Sequence, residues 1–194
     1  VKGYRPISIT ETIARLMEKL VLSRLTSHAA SNNILVDYQS GFRSHRQTKD
    51  NISFICQKIA EAINRNSRKN KKLKQQTCAI FFDIASAFDK VWHNGLIFKL
   101  YDHKFPNYLV KWCSQFLSER KFRIKINDCF SDQISAGCGV PQGAVLSPFL
   151  FSIFINDITN VIGKNKNQTL LFADDMCQLE MFLRPDSAEK HINA

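Results

Sequence analysis

The sequence predicts an α+β fold, in which helices lie beside a small sheet. Three observations carry this reading. Apolar residues recur at helical spacing over long stretches of the first half; Cys78 to Phe82 is a short unbroken apolar run; and two apolar arms around Asp174-Asp175 read as a hairpin. At 194 residues, 44% of them hydrophobic and 23% charged, the chain has globular composition. It is long enough for one domain with a sizeable core, or two small lobes.

Ser8-Ile9-Thr10-Glu11 fits a capping box, and Ile13, Leu16, Met17, Leu20 and Val21 follow at helical spacing, predicting a helix over about 11–29. Asn32 to Thr48 is polar around Gly41 and reads as a loop. Ile52, Ile55, Ile59 and Ile63 predict a second helix over 50–64. A basic linker follows, Arg65 to Lys74. Cys78 to Phe82 predicts a strand buried on both faces and ending at Asp83. Helices are expected at about 94–103 and from Pro106-Asn107 to about 117. Phe122, Ile124 and Ile126 alternate with polar residues, and with the turn Asn127-Asp128 they predict a strand pair. Gly137, Gly139, Pro141 and Gly143 force irregular backbone. Ser147-Pro148 then opens a buried helix through Phe151, Phe154, Ile155 and Ile158. Leu170 to Ala173, the turn Asp174-Asp175, and Met176 to Phe182 complete the hairpin.

Charge narrows the partners. The formal net charge is +10, and residues 1–97 carry 16 basic and 7 acidic side chains against 11 and 10 in residues 98–194. An excess confined to one half is what a surface facing a polyanion requires. The run Arg65, Arg68, Lys69, Lys71, Lys72 and Lys74 holds no acid; a solvated loop and a phosphate contact both account for it. No apolar run reaches bilayer length, Phe149 to Ile158 being broken by Ser152, Asn156 and Asp157, so a soluble chain with no membrane partner is expected. The six cysteines never approach C-x-x-C spacing, which argues against a zinc knuckle. Their apolar settings suit buried free thiols in a reducing, intracellular compartment. Nucleus and cytoplasm are equally compatible with this.

Two carboxylate positions break the local rules in the same way. Asp83 ends an apolar strand, and Asp174-Asp175 sits at a hairpin tip between apolar arms. Singly, each reads as a turn or cap residue. Together they suggest two strands lying side by side and sharing cations. Hard oxygen ligands without nearby His or Cys point to Mg²⁺ or Mn²⁺, and an open carboxylate set is what two-metal phosphoryl transfer requires.

Phe81-Phe82-Asp83-Ile84-Ala85-Ser86-Ala87-Phe88-Asp89-Lys90-Val91-Trp92-His93 resembles the A motif of reverse transcriptases of non-LTR (LINE-type, jockey-like) retrotransposons. Phe172-Ala173-Asp174-Asp175 resembles their C motif, Gly139-Val140-Pro141-Gln142-Gly143-Ala144-Val145-Leu146-Ser147-Pro148 their B motif, and Tyr4-Arg5-Pro6-Ile7-Ser8 a fingers motif. Gln39-Ser40-Gly41-Phe42-Arg43 is also similar to a segment of the family. The motifs stand in family order along nearly the whole chain. The resemblance implies a right-hand polymerase with an antiparallel palm sheet and flanking helices. Fingers are expected at about 1–76 and 105–146, and palm at about 77–104 and 147–194. The thumb is expected to be absent, and the chain to be part of a larger polyprotein with an endonuclease.

The same resemblance implies the site. Asp83 and Asp174 are expected as principal ligands of two Mg²⁺ or Mn²⁺ ions, with Asp175 secondary and the Ile84 backbone carbonyl as a further ligand. Phe88, five positions after Asp83, is expected beneath the incoming sugar, where a bulky ring excludes a ribose 2′-hydroxyl. Gln142 and Gly143 are expected at the nucleotide and Arg5 at its triphosphate. Phe42, Arg43 and Arg46 suit template phosphates and bases, and suit a solvated loop equally. Asp89 reads as a cap or salt-bridge partner. The implied activity is RNA-directed DNA polymerisation from dNTPs on an RNA template and a DNA primer. An RNA-dependent RNA polymerase and a non-catalytic nucleic-acid-binding remnant are the alternatives; Phe88 and Ala173 argue against the first, and intact Asp83, Asp174 and Asp175 against the second.

Overall fold

A computed structural model describes residues 6–68, 76–161 and 169–182. In chain order its elements are α1 (Thr12–Ser31), α2 (Thr48–Arg68), β1 (Gln76–Phe82), a 3₁₀ turn (Phe88–Lys90), α3 (His93–Asp102), α4 (Asn107–Leu117), β2 (Lys121–Phe122), β3 (Lys125–Ile126), β4 (Cys129–Phe130), β5 (Ile134–Ser135), α5 (Ser147–Ile155), α6 (Ile158–Val161), β6 (Thr169–Phe172) and β7 (Asp175–Phe182). The chain divides into two compact units, Val1–Val36 with Ala85–Asn156, and Asp37–Ile84 with Asp157–Ala194. Among the described residues no helix is long and apolar enough to cross a membrane.

The first unit is mainly helical. Leu96 and Leu100 of α3, Leu109, Val110, Cys113 and Leu117 of α4, and Leu150, Phe151 and Ile153 of α5 are buried, and α3 packs on both α4 and α5. Burial pushes the Cys113 thiol up to about 12, so it is a neutral packing residue. Cys113 and Cys177 are buried, Cys78 is half-buried, and Cys56, Cys129 and Cys138 are exposed, so the expectation of buried thiols holds for two of the six; Cys138, expected as a packing residue, is exposed.

Helix α1 departs from its expected start and face. Its N-cap is Glu11, and no side chain caps it; the Ser8 capping box is not formed. Ser8 lies outside the helix because its N–H donates to the Gln142 carbonyl at 2.7 Å, a partner 134 residues away that no local pattern reveals. Of the apolar series, Ile13, Leu16, Met17 and Leu20 are exposed, and the buried stripe is Glu18, Val21, Leu25 and Ala29. Glu18 is the surprise in that stripe. Its Oε2 accepts the N–H groups of Val145 (2.7 Å) and Leu146 (3.1 Å), satisfying donors at the start of α5 that the helix itself leaves orphaned. At the other end of α5, Asn156 accepts from Val36 N–H (3.0 Å) and donates to the Ile34 carbonyl (2.8 Å). The predicted continuous helix to Ile158 stops here, because Asn156 serves the loop after α1.

The expected strand pair near Ile124 forms as two short ladders, β2 with β5 and β3 with β4. Between them Ser131 takes the ladder's place: its N–H donates to the Ile124 carbonyl and its Oγ accepts the Ile124 N–H. Asn127 supplies the left-handed residue of the intervening turn at φ 53°.

In the second unit β1, β7 and β6 form an antiparallel sheet in that order. Strand β1 is therefore an edge strand among the described residues. That corrects its expected burial on both faces: no β1 residue is buried, and Phe81 is 74% exposed. The apolar run is continuous, but only one neighbour flanks it. On the far side of β6, Leu171 N–H donates to the Tyr38 carbonyl (3.0 Å) and Ser40 N–H to the Leu171 carbonyl (2.9 Å), so residues 38–40 run along the sheet as a parallel bridge. Helix α2 packs on Leu170, Cys177 and Leu179 through Phe54 and Ile55, while Ile52, Ile59 and Ile63 stay exposed. It runs to Arg68, so Arg65 and Arg68 belong to a helix; the rest of the expected basic linker lies outside the described residues.

Glu18→Ala orphans the Val145 and Leu146 N–H groups just ahead of α5 and is expected to cost about 1–3 kcal/mol for the buried Leu146 N–H, with less from the part-buried Val145 N–H. Glu18→Gln keeps an acceptor oxygen and is expected to cost less. Urea unfolding of the two variants beside wild type checks the order.

Candidate functional site

The sheet of the second unit brings the sequence-predicted carboxylates to one end. Register runs from Gln76↔Phe182 to Phe82↔Met176 between β1 and β7, and from Thr169↔Gln178 to Phe172↔Asp175 between β6 and β7. Continued by one residue, the first ladder sets Asp83 across from Asp175. Residues directly opposite in an antiparallel pair project from the same face. Asp175 belongs to β7, so the connecting turn is Ala173-Asp174 and not Asp174-Asp175 as expected. The shift has a backbone cause: Ala173 takes φ 58°, a left-handed turn residue, and this releases Asp175 into the ladder with Phe172. Asp83 and Asp175 are exposed and Asp174 half-buried. Ile84, half-buried, follows Asp83 directly.

Among the described residues none of these three carboxylates carries an ion pair, and no cluster of three or more His, Cys, Asp or Glu closes a metal cage. The donor set is open, anionic and all-oxygen. It fits Mg²⁺ or Mn²⁺, which keep water or phosphate oxygens as remaining ligands, and does not fit a closed zinc site. Beside this sheet end lies a cleft of about 530 Å³, lined by Asp83 and Asp175 together with Thr48, Asn51 and Ile52 of α2 and the apolar surface of Phe81, Phe82 and Phe172.

In the first unit the residues around Phe88 and those around Gln142 lock onto each other. Val140 N–H donates to the Phe88 carbonyl (2.8 Å), Gly139 N–H to the Val91 carbonyl (2.8 Å), and the Cys138 thiol to the Asp89 carbonyl (3.3 Å). His93 Nε2 bonds the Gly139 carbonyl at 2.7 Å. Gly139 adopts φ 84°, and a Cβ there would meet the Asp89 backbone at 2.7 Å, so only glycine allows this approach. Gln142 Nε2 donates to Asp89 Oδ1 at 3.0 Å. A carboxylate only accepts, so the Gln142 amide is oriented with its carbonyl oxygen directed away from Asp89. Asp89 thus orients Gln142; among the described residues it makes neither the helix cap nor the salt bridge that the sequence suggested. Gly143 takes φ 99° against Ser8 and Ile7. The Phe88 ring stacks on Phe151, with centroids 4.7 Å apart and planes at 13°.

Phe42 is exposed and left-handed at φ 57°. Burial and then the neighbouring Arg46 charge lower the Arg43 guanidinium from its ordinary value, with Asp37 opposing. Arg43 donates to the Gln39 carbonyl at 3.4 Å, and Arg46 lies 3.6 Å from Asp37. Arg5 lies outside the described residues. Sequence reasoning assigned Gln39 no role, yet it is 1% exposed and bonds the Ala173 backbone through both ends of its carboxamide. A lone polar residue beside Gly41 in a loop carries no periodic signal that would have marked it.

The family model described as reverse transcriptase (RNA-dependent DNA polymerase) matches residues 1–191. Among curated proteins, the chain is 31% identical over 183 residues to a probable RNA-directed DNA polymerase from transposon BS of Drosophila melanogaster. It is 32% identical over 184 residues to the RNA-directed DNA polymerase from mobile element jockey of the same fly. Each match covers 92% of this chain and 19% of the relative, so the chain spans about a fifth of their length. Among solved structures, an apo telomerase from Candida tropicalis matches with a TM-score of 0.55 at 17% identity, covering 93% of this chain and 36% of that one. A telomerase from Candida albicans solved with a telomeric RNA fragment matches with a TM-score of 0.52 at 13% identity, covering 93% and 31%. These structures share the fold.

A Cβ at Gly41 would sit 2.2 Å from the Ala173 nitrogen, whereas one at Gly137 meets nothing within 4 Å. Gly41→Ala is therefore expected to displace the turn, shifting the backbone amide resonances of Ala173 and Asp174, and Gly137→Ala to leave them in place. A ¹⁵N-correlation spectrum of each variant reads the difference.

Proposed function

We propose, from the premise that this chain belongs to the reverse transcriptase family, that it is the catalytic core of an RNA-directed DNA polymerase encoded by a non-LTR retrotransposon. The observation that carries the reading is the sheet order β1-β7-β6, which sets Asp83, Asp174 and Asp175 at one end of a single sheet. In this reading residues 77–104 and 147–194 are the palm, residues 1–76 and 105–146 are fingers, and thumb and endonuclease belong to a larger polyprotein. The partners are an RNA template, a DNA primer and a dNTP.

The reaction joins the primer 3′-oxygen to the α-phosphorus of the dNTP and releases pyrophosphate. Asp83, Asp174, Asp175 and the Ile84 carbonyl would hold two Mg²⁺ or Mn²⁺ ions, which when bound polarise phosphate oxygens and ease loss of the 3′-hydroxyl proton. The remaining steps are positioning. Gln142, its amide oriented by Asp89, offers a carbonyl oxygen to a sugar hydroxyl, and Gly143 lets the backbone approach. Phe88, stiffened by Phe151, supplies bulk where a 2′-hydroxyl would lie. Arg5 meets the triphosphate as a bidentate donor. Phe42, Arg43 and Arg46 contact template phosphates and bases.

The test is primer extension on an RNA template with Mg²⁺, using the polypeptide at the length its relatives have. Asp83→Asn and Asp174→Asn are expected to abolish incorporation while leaving template affinity within a few-fold of wild type. Retained incorporation in either variant would remove the proposed ligand set.

Sugar choice is read separately. Phe88→Val removes bulk without touching a carboxylate, so the deoxy-over-ribonucleotide efficiency ratio is expected to fall because ribonucleotide use rises. Equal loss with both sugars would mark Phe88 as a packing residue under Phe151, with a cavity cost of the order of 3–5 kcal/mol for full truncation to Ala, and would favour the RNA-polymerase alternative.

A further inference from the structure

Gln39 is a polar side chain shut almost entirely from water, and everything it bonds is backbone. Its Oε1 accepts the N–H of Gly41 (2.9 Å) and of Ala173 (3.2 Å), and its Nε2 donates to the Ala173 carbonyl (3.4 Å). A buried carboxamide is tolerated only when its donors and acceptors are met. Here one residue, Ala173, meets it from both sides. Ala173 is the left-handed residue at φ 58°, the conformation that sets where Asp174 and Asp175 leave the hairpin. Outside glycine, that conformation persists where surroundings over-determine it.

The position of these bonds matters more than their number. Residues 38–40 are already tied to β6 by the Tyr38 and Ser40 backbone bonds to Leu171, and Asn51 Nδ2 adds a third to the Leu171 carbonyl at 3.2 Å. The Gln39 side chain reaches beyond this ladder to the turn itself. Removing it leaves the backbone bonds of the ladder in place and frees the Ala173 turn together with the Gly41 N–H.

Resting on the metal-dependent reading above, we propose that Gln39 is a positioning residue for that site: its carboxamide clamps Ala173 and thereby holds the Asp174 and Asp175 carboxylates in the geometry that binds divalent cation. Residue chemistry follows from the bonds. Methionine fills similar volume and makes none of them. Glutamate preserves the two acceptor bonds but sets a carboxylate against the Ala173 carbonyl, a repulsion that protonation of the carboxylate relieves.

The probe is Mn²⁺, titrated into the full chain and followed by electron paramagnetic resonance, with thermal unfolding run on every variant. Q39M is expected to fold and to weaken Mn²⁺ binding about 10–100-fold, the range for groups that orient metal ligands. In primer extension kcat is expected to fall by a similar factor with the KM for dNTP unchanged. Q39E is expected to lie between, with its deficit relative to wild type shrinking as pH is lowered. Wild-type Mn²⁺ affinity and kcat in a folded Q39M would overturn the proposal. So would a Q39E deficit that does not change with pH, which serves if Q39M fails to fold. Asp174→Asn separates the two levels: if it weakens Mn²⁺ binding and Q39M does not, this inference fails alone; if it leaves binding unchanged, the metal reading fails and takes the inference with it.

Discussion

Two adjacent aspartates at the tip of a tight hairpin repel each other, and the chain must hold them there on a turn that begins with a left-handed alanine. A two-residue turn keeps β6 and β7 paired to their ends, which places Asp175 in the ladder and leaves Asp174 in the bend. The Ala173 N–H and carbonyl are both bonded by the Gln39 side chain. The segment 38–41 lies so close that Gly41 has no room for a Cβ. The parallel bridge to Leu171, the buried Gln39 and the Ser40–Asn51 hydrogen bond at 2.7 Å all follow from that approach. Ordering the loop costs conformational entropy, which the unit offsets by burying Leu170, Cys177 and Leu179 beneath Phe54 and Ile55.

The first unit solves a related problem with glycine in place of glutamine. The stretch from Gly139 to Gly143 has to lie flat against the backbone around Asp89, and a positive φ at Gly139 permits it. Once it is there, backbone hydrogen bonds to Phe88 and Val91 make the two segments one piece, and the Asp89–Gln142 bond orients the amide. Glu18 supports the same region from below by satisfying the N–H groups that open α5, the helix whose Phe151 carries the Phe88 ring. A buried carboxylate inside an apolar stripe is costly, and this one is bonded through Oε2 alone, its Oε1 having no hydrogen-bond partner among the described residues; the helix start supplies the two donors and a favourable dipole.

Most elements were legible in the sequence because their signals are local. Helices α3 and α4 fall within a residue of expectation, since apolar spacing and the Pro106-Asn107 start are both short-range. The hairpin was legible for the same reason, and only its turn moved, by one residue. What was not legible is long-range. Ser8 looks like a helix cap until Gln142 claims its N–H. The run Cys78 to Phe82 looks doubly buried because composition cannot say that β1 has one neighbour among the described residues. Ile13, Leu16 and Leu20 keep perfect helical spacing, yet the buried stripe is offset because Glu18 has to reach α5. At the candidate site, the carboxylates and Phe88 stand out through resemblance. Gln39 stands in a segment that resembles the family, yet the resemblance assigned it no role, because its contacts are with backbone atoms of a residue 134 positions away.

The proposed chemistry divides between residues as the fold does. Cation binding needs charge and an open coordination sphere, and these come from carboxylates at an exposed sheet end, where water can occupy whatever the protein leaves free. Sugar selection needs neither charge nor water; it needs a ring that does not move, and Phe88 obtains that by stacking on a helix of its own unit. The two requirements conflict physically, because a site wet enough for Mg²⁺ is a poor place to immobilise an apolar side chain. In the proposed reading five residues of sequence separate them, with Asp83 directly after the strand end at Phe82 and the 3₁₀ turn starting at Phe88, so that one segment would serve both. The constraint then falls on the short link from Ile84 to Ala87, which includes Ser86 at φ 56° and the buried Ala87, and which has to pass from an exposed strand end to a packed ring within four residues.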